Sequence, residues 1–329
     1  MSAKPRGLNA VLLVLLMALV LGLFLLLFLT LVTGGAGQRN DSSSLILYCA
    51  QDQVFAERVL EEFHRRTGLK VRAVFDSEAV KTVGMANRLL AEAKDPVAHV
   101  FWGNEELRTR QLAERGVFGT NQIQPGGKGW AAFGARTRRL VIDPTRLGAS
   151  ERPASLVELT NARWKGKISL AVPLFGTTST HFHALRSQWG DDAWRRWCSA
   201  LAANKPFLEP GNSHVVRRVV RGEALVGLTD SDDIFVAQRE GARVEGLALE
   251  EDLLVLPNTV ALVRPAAPGD PAWRLVDFLM SAEVATLLVR EGALESATVP
   301  QGRWLAPDWT RVLRDLDVTV GEIEGIFRK

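Results

Sequence analysis

Three carboxylates lie within four positions of the chain, at Asp230, Asp232 and Asp233. They follow the apolar run of residues 224–228, which predicts a buried strand, so they stand at the carboxyl end of that strand. Clustered carboxylates provide oxygen ligands for a hard cation and counter-charges for an amine. The same pattern is typical of a solvated turn or a helix N-cap, with Asp233 capping residues 234–239. Both interpretations stay open at this stage.

Two other apolar runs also end in polar side chains. Gln51 and Asp52 follow residues 45–50, and Asn104 and Glu105 follow residues 97–102. In sheets of mostly parallel strands, ligands bind beyond the carboxyl ends of the strands. We therefore predict that these groups converge with the three aspartates on an oxygen-rich, negatively charged cleft.

Other conspicuous side chains are interpreted as structural. His181 and His183 are two apart on a predicted helix, so they point to different faces and do not share an ion. Trp102 is interpreted as core packing, with an aromatic wall for an organic cation as the alternative. Three arginines, Arg136, Arg138 and Arg139, are interpreted as a solvated strand end.

The two cysteines, Cys49 and Cys198, are 149 positions apart, in a predicted strand and a predicted helix. We expect two buried thiols that are not bonded to each other, because each belongs to a different part of the predicted fold.

Strands and helices alternate along the first part of the chain. Apolar runs at 45–50, 71–75 and 97–102 predict strands, and residues 54–67 and 77–93 predict amphipathic helices between them. This order predicts an α/β fold in which helices flank a mostly parallel sheet.

After residue 124 the pattern changes. The run 140–142 predicts a strand that crosses into a second lobe, where residues 167–172 and 224–228 form a new sheet. Residues 258–263 predict the return crossing, and helices at 273–280 and 284–291 complete the first lobe.

The amino-terminal segment predicts export. Lys4 and Arg6 precede an apolar run from residue 10 to residue 32, which exceeds the ~20 residues that span a bilayer. The positive flank stays in the cytoplasm, so the remainder is delivered across the membrane, with the segment as an anchor or a cleaved signal. Residues 34–44 are polar and predict a tether.

Composition excludes several function classes. The formal net charge is +3, of which Lys4 and Arg6 supply two, and no Lys/Arg block predicts nucleic-acid binding. The chain has no Gly-x-Ser-x-Gly, His-Glu-x-x-His or Cys-x-x-Cys motif.

Several stretches between residues 45 and 299 resemble the solute-binding proteins of ABC importers, most closely their ferric-iron-binding subfamily. They are residues 47–52, 63–71, 100–104, 164–168, 211–213, 221–223 and 277–284. The resemblance implies two α/β lobes, the type II periplasmic-binding-protein fold, joined by two crossing hinge strands. It also implies that the lobes close on a ligand.

The resemblance carries over only part of that subfamily's site. The slots of its paired tyrosine ligands are held by Asp232 and Asp233, its histidine slot by Asp52, and its glutamate slot by Asn104 with Glu105 beside it. The only tyrosine, Tyr48, lies within a predicted strand. The subfamily's anion-binding helix start is matched by residues 176–179. Phenolate-bound iron(III) is therefore not expected.

The predicted ligand-binding set combines both arguments: Gln51, Asp52, Asn104, Glu105, Gly176, Thr177, Thr178, Ser179, Asn212, Asp230, Asp232 and Asp233. Within it, Asp52, Glu105, Asp232 and Asp233 are the predicted metal ligands. No covalent cofactor and no catalytic residue are expected, and a metal cation enters only as transported ligand.

The predicted domains are an anchor or signal at 1–33, a tether at 34–44, a first lobe at 45–136 and 259–300, a second lobe at 137–258 and a carboxyl-terminal segment at 301–329. The predicted function is an exported, monomeric solute receptor of an ABC permease. It captures a metal cation such as iron, or another cationic or zwitterionic solute. An exported metal-dependent hydrolase and a membrane-anchored sensory domain are the alternatives.

Overall fold

The computed structural model describes residues 45–76, 81–120, 123, 126–127, 129–247, 252, 254–299 and 304–328. The predicted anchor and tether lie outside these residues. Within the described part of the chain, no helix combines the length and the apolar character needed to cross a bilayer.

The first lobe is built on a mixed sheet. Strand β1 (Leu45–Cys49) pairs in parallel with β2 (Val71–Phe75) and with β3 (Val100–Gly103). Strand β10 (Val255–Leu262) then runs antiparallel beside β3. Strand β5 (Trp130–Ile142) follows β10 in the sheet, with the short β4 (Gly126–Gly127) beside its start.

The second lobe repeats the arrangement with other strands. Strand β6 (Ile168–Ala171) pairs in parallel with β7 (Phe207–Glu209) and β8 (Val226–Asp230). The end of β5 runs antiparallel to β8 and to β9 (Glu245–Leu247). Within each lobe, the carboxyl ends of the parallel strands therefore lie at the same edge of the sheet, as the alternation in the sequence predicts.

Helices cover the two sheets. Their bounds are α1 (Gln53–Thr67), α2 (Lys81–Ala91), α3 (Glu106–Glu114), α4 (Gly176–Trp189), α5 (Asp191–Ala203), α6 (Asn212–Val220), α7 (Ser231–Arg239), α8 (Pro271–Leu279), α9 (Ala282–Glu291), α10 (Trp309–Arg314) and α11 (Leu316–Phe327). Helix α1 shows why they form: Phe55, Val59 and Phe63 recur every four residues on its buried face. It ends before Gly68, whose φ of 70° lies in the left-handed region that favours glycine.

Strands β5 and β10 connect the lobes. In β5, Phe133 packs in a first-lobe cluster and Leu140 in a second-lobe cluster, and in β10 the same holds for Val260 and Leu256. The predicted crossing segments at 140–142 and 259–263 belong to these strands. However, the strands are longer than the sequence indicates, and their pairing changes near Thr137 rather than at residue 140. The predicted lobe boundaries themselves stay a prediction.

The interpretation of the arginine run as a solvated strand end is wrong. Arg136 and Arg138 are 2% and 0% exposed, and only Arg139 reaches the surface of β5. An arginine is almost never buried without a partner, so these two require buried counter-charges. The cysteines are separate buried thiols, Cys49 in β1 and Cys198 in α5, and they belong to different clusters.

Candidate functional site

One cavity between the lobes collects the strand ends and helix starts of both. Its volume is about 60 Å³. The second lobe lines it with Ala171, Val172, Phe175, Gly176, Thr177, Thr178, Pro210, Gly211, Asn212, Asp230, Asp232 and Asp233, and β5 adds Arg136. The first lobe contributes Asp52, Thr82 and Asn104. This convergence is the one expected at the carboxyl ends of parallel strands.

Asp230, the last residue of β8, is saturated by partners. Arg138 Nη1 donates to its Oδ1 at 2.5 Å, while Thr177 Oγ1 and Asn212 Nδ2 donate to its Oδ2 at 2.7 and 3.1 Å. Arg136 lies 3.5 Å away. Burial raises the pKa of Asp230, and the two guanidinium groups more than offset this, so that its pKa lies below the usual range. Asp230 is therefore a structural anion that holds the arginines in place.

Asp232 lies in the first turn of α7, and its surroundings disfavour the ionised carboxylate, in contrast to those of Asp230. Burial raises its pKa to about 7; Asp230 and Asp52 add to this, and Arg136 only partly compensates. Its nearest Arg136 nitrogen is 3.4 Å from Oδ2, and Oδ1 is buried with no hydrogen-bond partner among the described residues. A buried, unsatisfied carboxylate oxygen is costly, so a cationic donor at this point would stabilise it.

Three helices of the second lobe begin at the cavity without a side-chain cap among the described residues. They are α4, α6 and α7, preceded by Phe175, Gly211 and Asp230. The first N–H groups of a helix lack intrahelical acceptors and favour negative charge. At α4 the first residue, Gly176, has φ of 55°, and a side chain there would face open space. The start of α4 therefore offers Gly176, Thr177 and Thr178 as donors for an anion.

The first lobe contributes fewer groups. Asp52 precedes α1, and Asn104 Oδ1 accepts a hydrogen bond of 3.0 Å from Thr82 Oγ1. Thr82 lies on α2, where nothing in the sequence distinguishes it from an ordinary helix residue. Asp52, Asn104, Gly176, Thr177, Thr178, Asn212, Asp230, Asp232 and Asp233 are thus brought together as the sequence predicts.

Three predicted site residues do not line the cavity. Glu105 caps α3, accepting from the backbone N–H of Leu107 and Arg108 at 2.6 and 3.1 Å, and from Thr180 Oγ1. Gln51 is buried beside β1, and Ser179 is buried in α4. The structure therefore does not bring Glu105 to the cavity, and its oxygens accept hydrogen bonds within the fold.

The carboxylates that can share an ion are Asp230, Asp232 and Asp233, whose oxygens lie within 4.8 Å of one another. The predicted metal set had Glu105 and Asp52 in place of Asp230. Asp230 is held by two arginines, whereas Asp232 Oδ1 has no hydrogen-bond partner among the described residues. Asp233 accepts a hydrogen bond from Thr229 at 3.3 Å.

The arginines are the functional residues that the sequence interpretation missed. A usable signal exists in the spacing: Arg136 and Arg138 are two apart on a strand, so their side chains share one face. That face meets Asp230, Thr177 and Asn212.

Comparison with known proteins identifies the family of this chain. Residues 110–312, more than half of the chain, match the profile described as bacterial extracellular solute-binding protein. The chain belongs to this family. The described cavity lies between the two lobes of this solute-binding protein.

Individual relatives of this solute-binding protein are distant. The major ferric iron-binding protein of Neisseria meningitidis serogroup B is 24% identical over 261 residues, 73% of this chain and 77% of that protein. Iron-bound HitA from Pseudomonas aeruginosa superimposes with a TM-score of 0.73 at 18% identity, covering 86% and 99% of the chains. AfuA from Actinobacillus pleuropneumoniae, with fructose-6-phosphate bound, gives 0.75 at 19% identity, covering 87% and 98%. These structures establish the two-lobed type II fold with crossing hinge strands.

Tyr48, the only tyrosine of this solute-binding protein, is remote from the cavity. It is fully buried in β1, and its hydroxyl donates to the Glu92 carboxylate at 2.9 Å. Burial, together with Glu92, raises its pKa to about 12. It therefore supplies no phenolate to the cavity. His181 and His183 are buried in α4, where they contact the backbone oxygens of Asp252 and Ser179. Trp102 packs against Phe133 in the core.

Proposed function

We propose that this protein is the extracytoplasmic receptor of an ABC importer, and that its solute carries both a cationic and an anionic group. The observation that carries the proposal is that one cavity holds two opposite kinds of unsatisfied group. Asp232 Oδ1 lacks a donor among the described residues, and the start of α4 lacks a capping side chain there.

The cationic group belongs at Asp232 and Asp233. Asp230 is already neutralised by Arg138 and Arg136, whereas Asp232 lies 3.4 Å from Arg136 and has one oxygen, Oδ1, without a hydrogen-bond partner among the described residues. An ammonium group donates three hydrogen bonds and needs no fixed coordination number, so two carboxylates and neighbouring hydroxyl groups suit it. A cation at this place favours the ionised form of Asp232, whose pKa burial has raised.

The anionic group belongs at α4. Gly176, Thr177 and Thr178 present N–H groups, and Arg136 adds a buried positive charge on the same cavity. A phosphate or carboxylate binds well at such a helix start. The relatives are consistent with a cationic or an anionic group, since one is named for ferric iron and another was solved with a sugar phosphate.

A hard metal ion bound together with an anion is the second candidate, because three carboxylates lie close enough to share an ion. It is less well supported than an amine. Asp230 is committed to arginine, and no tyrosine or histidine lines the cavity among the described residues. Family membership favours a receptor over the hydrolase.

Isothermal titration of the full chain tests the proposal, in mild detergent because of residues 10–32. The probes are 2-aminoethyl phosphate, inorganic phosphate and ferric citrate. We expect 2-aminoethyl phosphate, which is a zwitterion, to bind at least tenfold more tightly than inorganic phosphate. Only the zwitterion contacts both Asp232 and the start of α4. D232N/D233N abolishes that preference. Metal analysis and mass spectrometry of the purified protein identify any solute that accompanies it.

The matched control is D191N/D192N, which removes two acidic residues from the first turn of another helix, α5, outside the cavity. Affinity equal to that of the unmodified chain is expected. Unchanged binding of the zwitterion to D232N/D233N contradicts the proposal. Binding of ferric citrate alone supports the metal candidate instead.

A further inference from the structure

A second depression adjoins the cavity and has a different chemical character. We call it the outer groove and define it by its apolar wall: Val54 and Phe55 of α1, Val216 and Val220 of α6, and Val236 and Ala237 of α7. Its volume is about 540 Å³, within the usual range of small-molecule sites. Both lobes contribute to this wall.

The groove is continuous with the acidic end of the cavity. Asp52, Asp232 and Asp233 line both spaces. Asp232 is more than nine-tenths buried, and its Oδ1 has no hydrogen-bond partner among the described residues. A cation that donates a hydrogen bond to this oxygen therefore lies between the polar cavity and the apolar outer groove.

Two side chains of the apolar wall are exposed in the described chain. Val54 is 60% exposed and Val220 is 39% exposed, and both are among the large hydrophobic side chains that the fold leaves open. Single exposed valines are ordinary, but these two come from different lobes and line one groove beside the ligand cavity. The inner cavity, at about 60 Å³, holds little more than a few water molecules. Any substituent on the cationic group must then extend outwards, into the groove.

We infer that the outer groove is a subsite for an apolar substituent on the cationic end of the solute. The ligand is then a substituted organic ammonium compound with an anionic group at its other end. The inference rests on the proposed function, because it places the cation at Asp232 and Asp233. An apolar subsite distinguishes this protein from a receptor for a bare metal ion, because a bare ion carries no apolar substituent for the groove to bind.

Titration with a matched pair of probes tests the inference: 2-aminoethyl phosphate and its N-benzyl derivative. The two share both charges, and the derivative replaces one of three ammonium N–H groups by an apolar benzyl group. We expect the N-benzyl compound to bind about tenfold more tightly or better, since the groove removes its ring from water. In V54S/V220S this advantage is lost, while the affinity for the parent compound stays within about twofold. Both valines are exposed, so the substitutions leave the core intact.

The control variant is V318S, because Val318 is 58% exposed on α11 and does not line the groove. We expect V318S to bind the N-benzyl compound more tightly than the parent compound by the same factor as the unmodified chain does. Equal binding of the two probes to the unmodified chain overturns the subsite and leaves the proposed function standing. If V54S/V220S weakens both probes equally, the valines serve lobe closure, and the subsite is again overturned. If neither probe binds, the proposed function and the subsite fail together.

Discussion

Two buried arginines determine the charge of the ligand cavity. Arg138 is fully buried and bonded to Asp230, and Arg136 lies between Asp230 and Asp232. Without them, the neighbouring carboxylates would repel one another in a region of low dielectric constant. With them, one aspartate is fixed as an anion, and Asp232 is left as the group that responds to ligand and to pH.

Replacing Arg138 by glutamine should strongly destabilise the protein. Asp230 would lose its closest counter-charge while staying buried, and breaking such a pair costs about 3–5 kcal/mol. The neighbouring variant R139Q is the control. Arg139 pairs with Glu295 at the surface, at 3.2 Å, and such pairs contribute about 1 kcal/mol or less. Urea denaturation measures both free energies of unfolding. Similar losses for the two variants would contradict the role given to Arg138.

Asp232 should make stability depend on pH in an unusual direction. Its pKa is about 7 in the folded chain, against 3.8 for an unperturbed aspartate. The folded state therefore binds more protons than the unfolded state between these values, so this group's contribution to stability is lost as pH rises from about 4 to about 7.

The variant D232N removes this contribution to the pH dependence. Measured by urea denaturation without ligand, we expect D232N to gain stability relative to the unmodified chain as pH rises from 4.5 to 7.5. The difference levels off above pH 7.5. A difference that stays constant across this range would show that Asp232 has an ordinary pKa.

At the scale of elements, the start of α4 shows how a loop conformation creates a binding group. The helix begins directly at the cavity because Gly176 adopts φ of 55° after Phe175. A left-handed residue costs a non-glycine side chain about 1–2 kcal/mol. Glycine avoids this cost and lets α4 turn its first N–H groups towards the ligand.

Gly176→Ala should therefore weaken both stability and anion binding. We expect a loss of about 1–2 kcal/mol in the free energy of unfolding, entirely from backbone strain, because the added methyl group meets nothing within 4 Å. Affinity for 2-aminoethyl phosphate should fall with it.

The control is Gly321→Ala, inside α11, where the added methyl group also meets nothing within 4 Å. An ordinary helix position gains up to about 1 kcal/mol from this change. If G176A were as stable as the unmodified chain, the left-handed start of α4 would be refuted.

At the scale of the whole molecule, β5 and β10 connect the two lobes. Each strand packs one end in a first-lobe cluster and the other in a second-lobe cluster. A ligand that contacts Asp52 on one side and Asp232 on the other therefore favours the conformation in which the lobes are closest.

Spin labels on the two lobes measure this closure. The exposed Val97 and Val157 lie on different lobes, and the variant V97C/V157C provides label sites, because the native cysteines are buried. We expect 2-aminoethyl phosphate to shift the distance distribution between the labels, measured by pulsed electron resonance. In the D232N/D233N background no shift occurs. The same shift in both backgrounds would show that closure does not depend on the acidic groups.

Local sequence patterns predict the architecture and most of the strand-end groups. Apolar runs of strand length alternate with amphipathic helices, and this local pattern is enough to place β1, β2, β3, β6 and β8. Because the carboxyl ends of parallel strands meet, it also brings Asp52, Asn104 and Asp232 to one cleft. The resemblance to ferric-binding proteins added the start of α4 and the warning that tyrosine ligands are missing.

The pairing of the charged groups could not be predicted from the sequence. Whether an arginine on a strand is solvated depends on what covers its face, and for Arg138 this is Asp230, 92 positions further along the chain. Glu105 looked like a ligand in the sequence because it follows a strand, yet its oxygens are used by α3 and by Thr180. The sequence shows most of the carboxylates and amides that reach the cleft, whereas the arginines that neutralise them come from a distant segment brought there by folding.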